Sequence, residues 1–307
     1  MTRVAALDCG TNSLRLLVAD VDGRAKADVH REMRVVRLGE GVDRTGELSP
    51  AAIERTRRVL TDYAATCRQL GVEATRMVAT SATRDARNRA DFTGMVQEVL
   101  GVAPEVVSGQ EEAALSFDGA TRALDPAQGP FLVMDIGGGS TEFVLGAAAV
   151  EAALSVDVGC VRLTERHLVA DPPTSEQVRA AQADLAEALD RVLEAVPTGR
   201  ARTAVGLAGS VTTVAALALG LPSYDPERIH LSRITARQVR EVTRSLLAQT
   251  REQRAALPVM HPGRVDVIAA GALVLCAAVE RLQLPEVLVS EADILDGIAW
   301  SIPAGAG

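Results

Sequence analysis

Asp135 closes an apolar run, three consecutive glycines follow (Gly137, Gly138, Gly139), and Ser140-Thr141-Glu142 opens a second apolar run, Phe143-Val144-Leu145. Glycines leave main-chain N–H groups unshielded, so an anion can come close to them. Asp135 and Glu142, at the two lips of the turn, are hard oxygen ligands suited to a magnesium ion that bridges to phosphate. A glycine-rich hairpin turn without any ligand is the competing reading of the same residues. The pattern recurs near the start of the chain, where Val4 to Asp8 runs into Cys9-Gly10-Thr11-Asn12-Ser13. Asp8 matches Asp135, Gly10 matches Gly137 and Ser13 matches Ser140, with the same Asp-to-Ser spacing. One supersecondary unit therefore leads each half of the chain, which makes the turn part of an architecture.

Three other stretches carry chemistry. Ser108-Gly109-Gln110-Glu111-Glu112 delivers two adjacent glutamates to the start of a helix. Adjacent residues point in different directions on a helix, so only one of them can serve a site. Either can orient a water molecule, and both can instead favour the helix N-terminus electrostatically. Thr80-Ser81-Ala82-Thr83-Arg84 places hydroxyls and an arginine where a strand opens into a helix, a setting that suits an anion. Gly206-Leu207-Ala208-Gly209-Ser210 follows another strand, either as a phosphate loop or as close strand–helix packing.

The elements that must position these residues are legible from pattern. Strands are expected over 4–8, 14–20, 24–38, 76–80 and 105–107, with Asp22-Gly23 as a hairpin turn and 39–47 as loop. Ser49-Pro50 caps a helix that stops at Gly71, and Ala90 to Leu100 is a helix stopped by Gly101. Gly109 to Leu124 reads as helix. The Pro- and Gly-rich stretch Asp125–Pro130 then marks a boundary between domains at 1–125 and 126–307, the last helix packing back on the first lobe. The second half repeats the plan, with strands at 131–136, 141–146, 149–157, 203–207 and 286–290. Thr174 with Gln177, and Thr235 with Gln238, read as capping boxes, and helices are expected over 160–169, from Val211, over 264–282 and up to Trp300. The two lobes, each with its glycine turn, are expected to face one another across a cleft that holds phosphate.

Composition narrows the function class. A net charge of −8 argues against a general nucleic-acid binder. Four scattered cysteines without C-x-x-C spacing imply reduced thiols and no zinc site. The N-terminus reaches Asp8 too early for a signal-peptide core, and the apolar run Val267 to Val279 is too short to span a bilayer, so a cytoplasmic protein with no membrane partner is expected. His30, His167, His230 and His261 share no metal-like spacing.

DCGTNSLRLL, TSATRDARN, SGQEEA, DIGGGSTE, GLAGS and SEADILDGI, in this order, resemble the motifs of the exopolyphosphatase and guanosine pentaphosphate phosphohydrolase (Ppx/GppA) family over essentially the whole chain. The resemblance implies an α/β fold of two actin-like, ribonuclease H-like lobes, from the superfold of actin, sugar kinases and heat-shock ATPases. It implies removal of the terminal phosphate of polyphosphate with Mg2+ (or Mn2+), Glu112 being the general base on the attacking water. It places Asp135, Glu142 and Asp8 at the metal. Asn12, Ser13, Arg84, Gly137, Gly138, Gly139 and Ser140 fall to phosphate, with Gly209 and Ser210 further along the substrate. SEADILDGI lacks the arginine of the family's form, and this end is read as structural. Longer family members append helical domains that this sequence lacks, so short to medium chains and weak processivity are expected. A homodimer is possible by the same analogy. A pppGpp 5′-phosphohydrolase shares the phosphoanhydride chemistry. An ATP-dependent small-molecule kinase or a non-catalytic nucleotide sensor would use the same superfold differently.

Overall fold

The computed structural model describes residues 1–22 and 25–303, and the chain forms two compact units, Met1–Gly119 with the segment from Asp293, and Ala120–Ala292. Among the described residues, no helix is long and apolar enough to cross a membrane.

The first unit opens with β1 (Thr2–Cys9), β2 (Ser13–Val21) and β3 (Lys26–Val35), a meander whose Gly23 and Arg24 lie outside the described residues. The expected loop at 39–47 contains a short helix, α1 (Val42–Thr45), flanked by Gly41 and Gly46 in the left-handed conformation. Then come α2 (Pro50–Gln69), β4 (Ala74–Ala79), α3 (Ser81–Asp85), α4 (Arg89–Leu100), β5 (Glu105–Val106) and α5 (Gly109–Thr121). The sheet order is β3-β2-β1-β4-β5. Strand β1 pairs antiparallel with β2 and parallel with β4. Ser49 caps α2 by accepting from the Ala52 N–H, as its sequence position predicts.

The second unit runs β6 (Phe131–Ile136), β7 (Thr141–Gly146), β8 (Val150–Val156), α6 (Cys160–Arg166), α7 (Ser175–Ala195), β9 (Thr203–Leu207) and α8 (Ala208–Ala218). It continues with α9 (Pro226–Ile229), β10 (Arg233–Thr235), α10 (Ala236–Ala248), α11 (Arg251–Ala255), α12 (Ile268–Arg281) and β11 (Glu286–Val289). Read from one edge the sheet is β8-β7-β6-β9-β11, the same order as in the first unit, with β10 added beyond β11. Helix α8 begins at Ala208, not at Val211, so Gly209 and Ser210 belong to its first turn. Ala208 takes a positive φ of 67° there, a conformation an L-residue holds only where its surroundings impose it.

The final helix, α13 (Ile294–Ser301), belongs to the first unit. Alternation along the strands decides what it covers. Ala5, Leu7 and Cys9 of β1 face α2 and α4, whereas Val4 and Ala6 pack with Ile294, Leu295, Ile298 and Ala299 of α13. Burying an isoleucine or leucine there contributes about 1.5–3 kcal/mol each, enough to hold a helix of two turns in place. Asp8 continues the series Val4, Ala6 and so lies on the α13 face.

Candidate functional site

The two glycine turns are built alike down to their hydrogen bonds. Gly10 N–H donates to the Ser13 carbonyl at 3.0 Å, and Gly137 N–H donates to the Ser140 carbonyl at 3.1 Å. In each unit the aspartate ends the first strand and faces a partner across the hairpin: Asp8 stands opposite Arg15, and Asp135 opposite Glu142. The copies thus differ in charge at one lip, an arginine in the first and an acid in the second.

In the second unit the carbonyls of the glycines are all occupied by the start of α6. Gly137 accepts from Cys160 N–H, Gly138 from Val161 and Arg162 N–H, and Gly139 from Arg162 Nε at 2.7 Å. Gly159 presses its α-carbon against Gly138, where a side chain would overlap the backbone. The Gly137 N–H closes the turn, which removes it from the expected set of phosphate donors. The N–H groups of Gly138 and Gly139 donate to no acceptor among the described residues. Asp135, Ser140 and Glu142 are all buried, and Glu142 Oε1 accepts from Ser155 Oγ at 2.7 Å.

In the first unit the Glu111–Glu112 pair is divided by geometry. Glu111 is exposed and completes a capping box, its Oε2 accepting from Ser108 N–H at 2.9 Å and from Ser108 Oγ at 3.0 Å. Those bonds, the backbone one foremost, hold its pKa below the usual glutamate value. Glu112 is 8% exposed, and its Oε2 accepts from Arg84 Nη1 at 3.0 Å. The same Nη1 also donates to the Val107 carbonyl at 3.1 Å, while Arg84 Nε and Nη2 donate to no acceptor among the described residues. The hydroxyls around Arg84 are buried. Helix α3 is five residues long, Thr80, Ser81 and Thr83 are buried, and Ser81 Oγ bonds Thr11 Oγ1 at 2.9 Å. Thr83 Oγ1 is buried without a partner among the described residues, and Arg84 supplies the cation of Thr80–Arg84.

Asn12 and Ser13 sit half-buried in the first turn. The Asn12 carbonyl holds the end of the meander by accepting from Val36 and Arg37 N–H. Asp8 is buried, with Oδ2 accepting from Arg15 Nε and Nη2 at 2.9 and 2.6 Å. Burial pushes the Asp8 pKa up, and the Arg15 charge opposes that shift.

Gly209 and Ser210 depart from expectation. The Arg264 guanidinium lies against Gly209, where a side chain at that residue would overlap it, so the glycine backbone is covered. Ser210 is buried beside Cys160 and Gly271. Arg264 Nη1 donates to Thr213 Oγ1 at 3.1 Å, and its guanidinium carbon stands 6.0 Å from the Tyr224 ring centre. The Tyr224 hydroxyl donates to Glu291 Oε1 at 2.6 Å and lies 2.7 Å from Thr212 Oγ1. Burial and the Glu291 charge raise the Tyr224 pKa to about 12. The cation at this loop is therefore Arg264, which no sequence pattern singled out. Arg15 was missed too, although aligning the repeat two residues past Ser13 and Ser140 sets it against Glu142.

Whether a divalent ion suits these residues can be judged from their atoms. Asp8 Oδ1 is buried and accepts no hydrogen bond among the described residues. Asp135 and Glu142 are buried carboxylates at directly opposed positions, a juxtaposition that a cation relieves. Among the described residues no three or more His, Cys, Asp or Glu side chains converge on one point. The Asp135–Glu142 pair by itself fits magnesium, which takes one or two carboxylates and completes its shell with water and phosphate oxygens.

Two α/β units with one strand order, each leading with a glycine turn after a strand that ends in aspartate, define a duplicated fold. The chain belongs to the Ppx/GppA phosphatase family, whose model matches residues 17–302. It is 53% identical over 315 residues to "Exopolyphosphatase 2" of Mycobacterium tuberculosis, covering 98% of this chain and 99% of that one. The solved structure of an exopolyphosphatase-like protein superposes with a TM-score of 0.94 at 40% identity, covering 98% of both chains. The Ppx/GppA family member of Aquifex aeolicus matches with a TM-score of 0.82 at 31% identity, over 98% of this chain and 97% of that one.

Proposed function

We propose that this chain is an exopolyphosphatase that removes the terminal phosphate of inorganic polyphosphate with Mg2+. The observation that carries the reading is the division of the glutamate pair: Glu111 is fixed as a cap, whereas Glu112 is buried and held by Arg84. Glu112 takes a proton from the attacking water as the new P–O bond forms. The bond to the bridging oxygen breaks, that oxygen leaves with the shortened chain, and orthophosphate is released. Arg84 Nη1 fixes the Glu112 carboxylate, and its remaining N–H groups face developing charge on the phosphoryl oxygens. The Gly138 and Gly139 amides, with Asn12 and Ser13, receive phosphate oxygens, and Arg264 takes the place first given to Gly209 and Ser210.

Phosphatases of this family depend in general on a divalent metal. We assign a divalent ion to Asp135 and Glu142 in the second unit, and to Asp8 Oδ1, the buried acceptor of the first unit. When bound, Mg2+ neutralises phosphate charge and orients the chain. The test is phosphate release in Mg2+ from polyphosphate, pppGpp and ATP, by wild type and Glu112→Gln. Release from polyphosphate that falls at least about 100-fold in the variant is expected. Preference for pppGpp would move the substrate assignment and leave the mechanism standing. Activity on none of the three, or an undiminished variant, overturns the reading.

A further inference from the structure

The ion pair between Arg15 and Asp8 is one-sided. An arginine facing a carboxylate commonly grips both oxygens with two parallel N–H groups. Here Arg15 places Nε and Nη2 on the single oxygen Oδ2, leaving Oδ1 buried without a bond among the described residues. The third nitrogen explains the tilt, because Nη1 donates to Asp293 Oδ2. Asp293 is itself held by two hydrogen bonds. Its Oδ1 accepts from Leu295 N–H at 3.0 Å as the N-cap of α13, and its own N–H donates to Asp296 Oδ2 at 2.9 Å.

The anchorage continues outward. Asp296 Oδ1 is bound by Arg31 Nη2 at 2.7 Å and by Lys26 Nζ at 3.0 Å. Helix α13 cannot slide along α5, because Gly297 lies against the Leu115 carbonyl and Gly119 against the Asp293 carbonyl, both too close for a side chain. Helix α5 carries Glu112 near its start. One residue thus touches the arginine that governs Asp8 and the helix that carries the general base.

We propose that Asp293 is a positioning residue for the reaction: by drawing Arg15 to one side it neutralises Oδ2 of Asp8 and presents Oδ1 to the divalent ion. The inference rests on the exopolyphosphatase reading and adds to it a stretch read from sequence as structural. Asparagine caps a helix as well as aspartate does but carries no charge for Arg15, so Asp293→Asn separates positioning from capping.

The experiment measures phosphate release from polyphosphate and, independently, Mn2+ binding by calorimetry to protein without substrate. Asp293→Asn is expected to weaken Mn2+ binding and lower kcat by about 10-fold or more each, as loss of a partner behind a ligand does, with KM for polyphosphate and Tm close to wild type. Asp293→Ser, which also caps, should behave alike and substitutes if the asparagine variant does not fold. Arg31→Gln loosens the same helix end without touching Arg15 and should lower Tm while keeping kcat and Mn2+ affinity. Wild-type Mn2+ affinity and kcat in both Asp293 variants, or an equal loss of kcat in Arg31→Gln, overturns the positioning role. Glu112→Gln is run beside them: if it stays active, the underlying reading has failed, and if it is dead while the Asp293 variants are intact, only the positioning has.

Discussion

At the scale of single residues, arginines decide the character of the site more than the acids they serve. Arg84 holds Glu112, Arg15 holds Asp8 and Arg264 covers Gly209, each with different geometry. Arg84→Lys keeps the charge but loses the flat fork, so it should retain substrate binding and lose kcat, while Arg84→Ala should lose kcat by about 100-fold or more in steady-state assays. On the proposed reading, Arg264→Ala removes a phosphate contact without reaching the base. It should raise KM for polyphosphate about 10- to 100-fold with kcat little changed, the size of one charged hydrogen bond. An unchanged KM would return Gly209 to the role it held on sequence grounds.

At the scale of elements, the features with local causes were readable in advance. The strand–glycine–strand hairpins, the Ser49-Pro50 start of α2, the stop at Gly101 and the Thr174–Gln177 box all appear where short-range chemistry puts them. The Glu111–Glu112 choice was only half legible, since the capping-box spacing from Ser108 to Glu111 was there but went unused. The pairs that join distant segments were not legible, for no local pattern sets Arg15 against Asp293 or Arg264 against Gly209. Short helices such as α9 and α11, four and five residues long, carry too few periods to be seen. The α5–α13 crossing belongs with these hidden contacts. Gly297→Ala would drive a methyl group into the Leu115 carbonyl, which cannot turn aside, and should cost about 1–3 kcal/mol in a denaturant titration. Thr174→Ala, which removes a cap only, should cost about 1 kcal/mol and leave activity intact.

At the scale of the whole molecule, acid stability follows from the ion pairs that tie down α13. Burial alone would raise the Asp296 pKa, but the Arg31 and Lys26 charges outweigh it and hold the value below the ordinary aspartate range. A depressed carboxylate contributes stability above its unfolded pKa and loses it as pH falls through the folded value. The Tm advantage of wild type over Asp296→Asn should therefore be full near neutrality and shrink below about pH 4, read from melting curves across acid buffers.

The return of α13 to the first unit also sets a schedule for synthesis. The first sheet leaves the ribosome early, yet the face formed by Val4, Ala6, Leu17 and Ala19 has no cover until Ile294, Leu295 and Ile298 emerge. During that interval the nascent chain carries an apolar surface and an Arg15 that has not met Asp293, while all of Ala120–Ala292 is being made. The second unit, continuous in sequence, can finish folding first. Emergence of α13, rather than completion of the first sheet, is then the moment at which Arg15 meets Asp293.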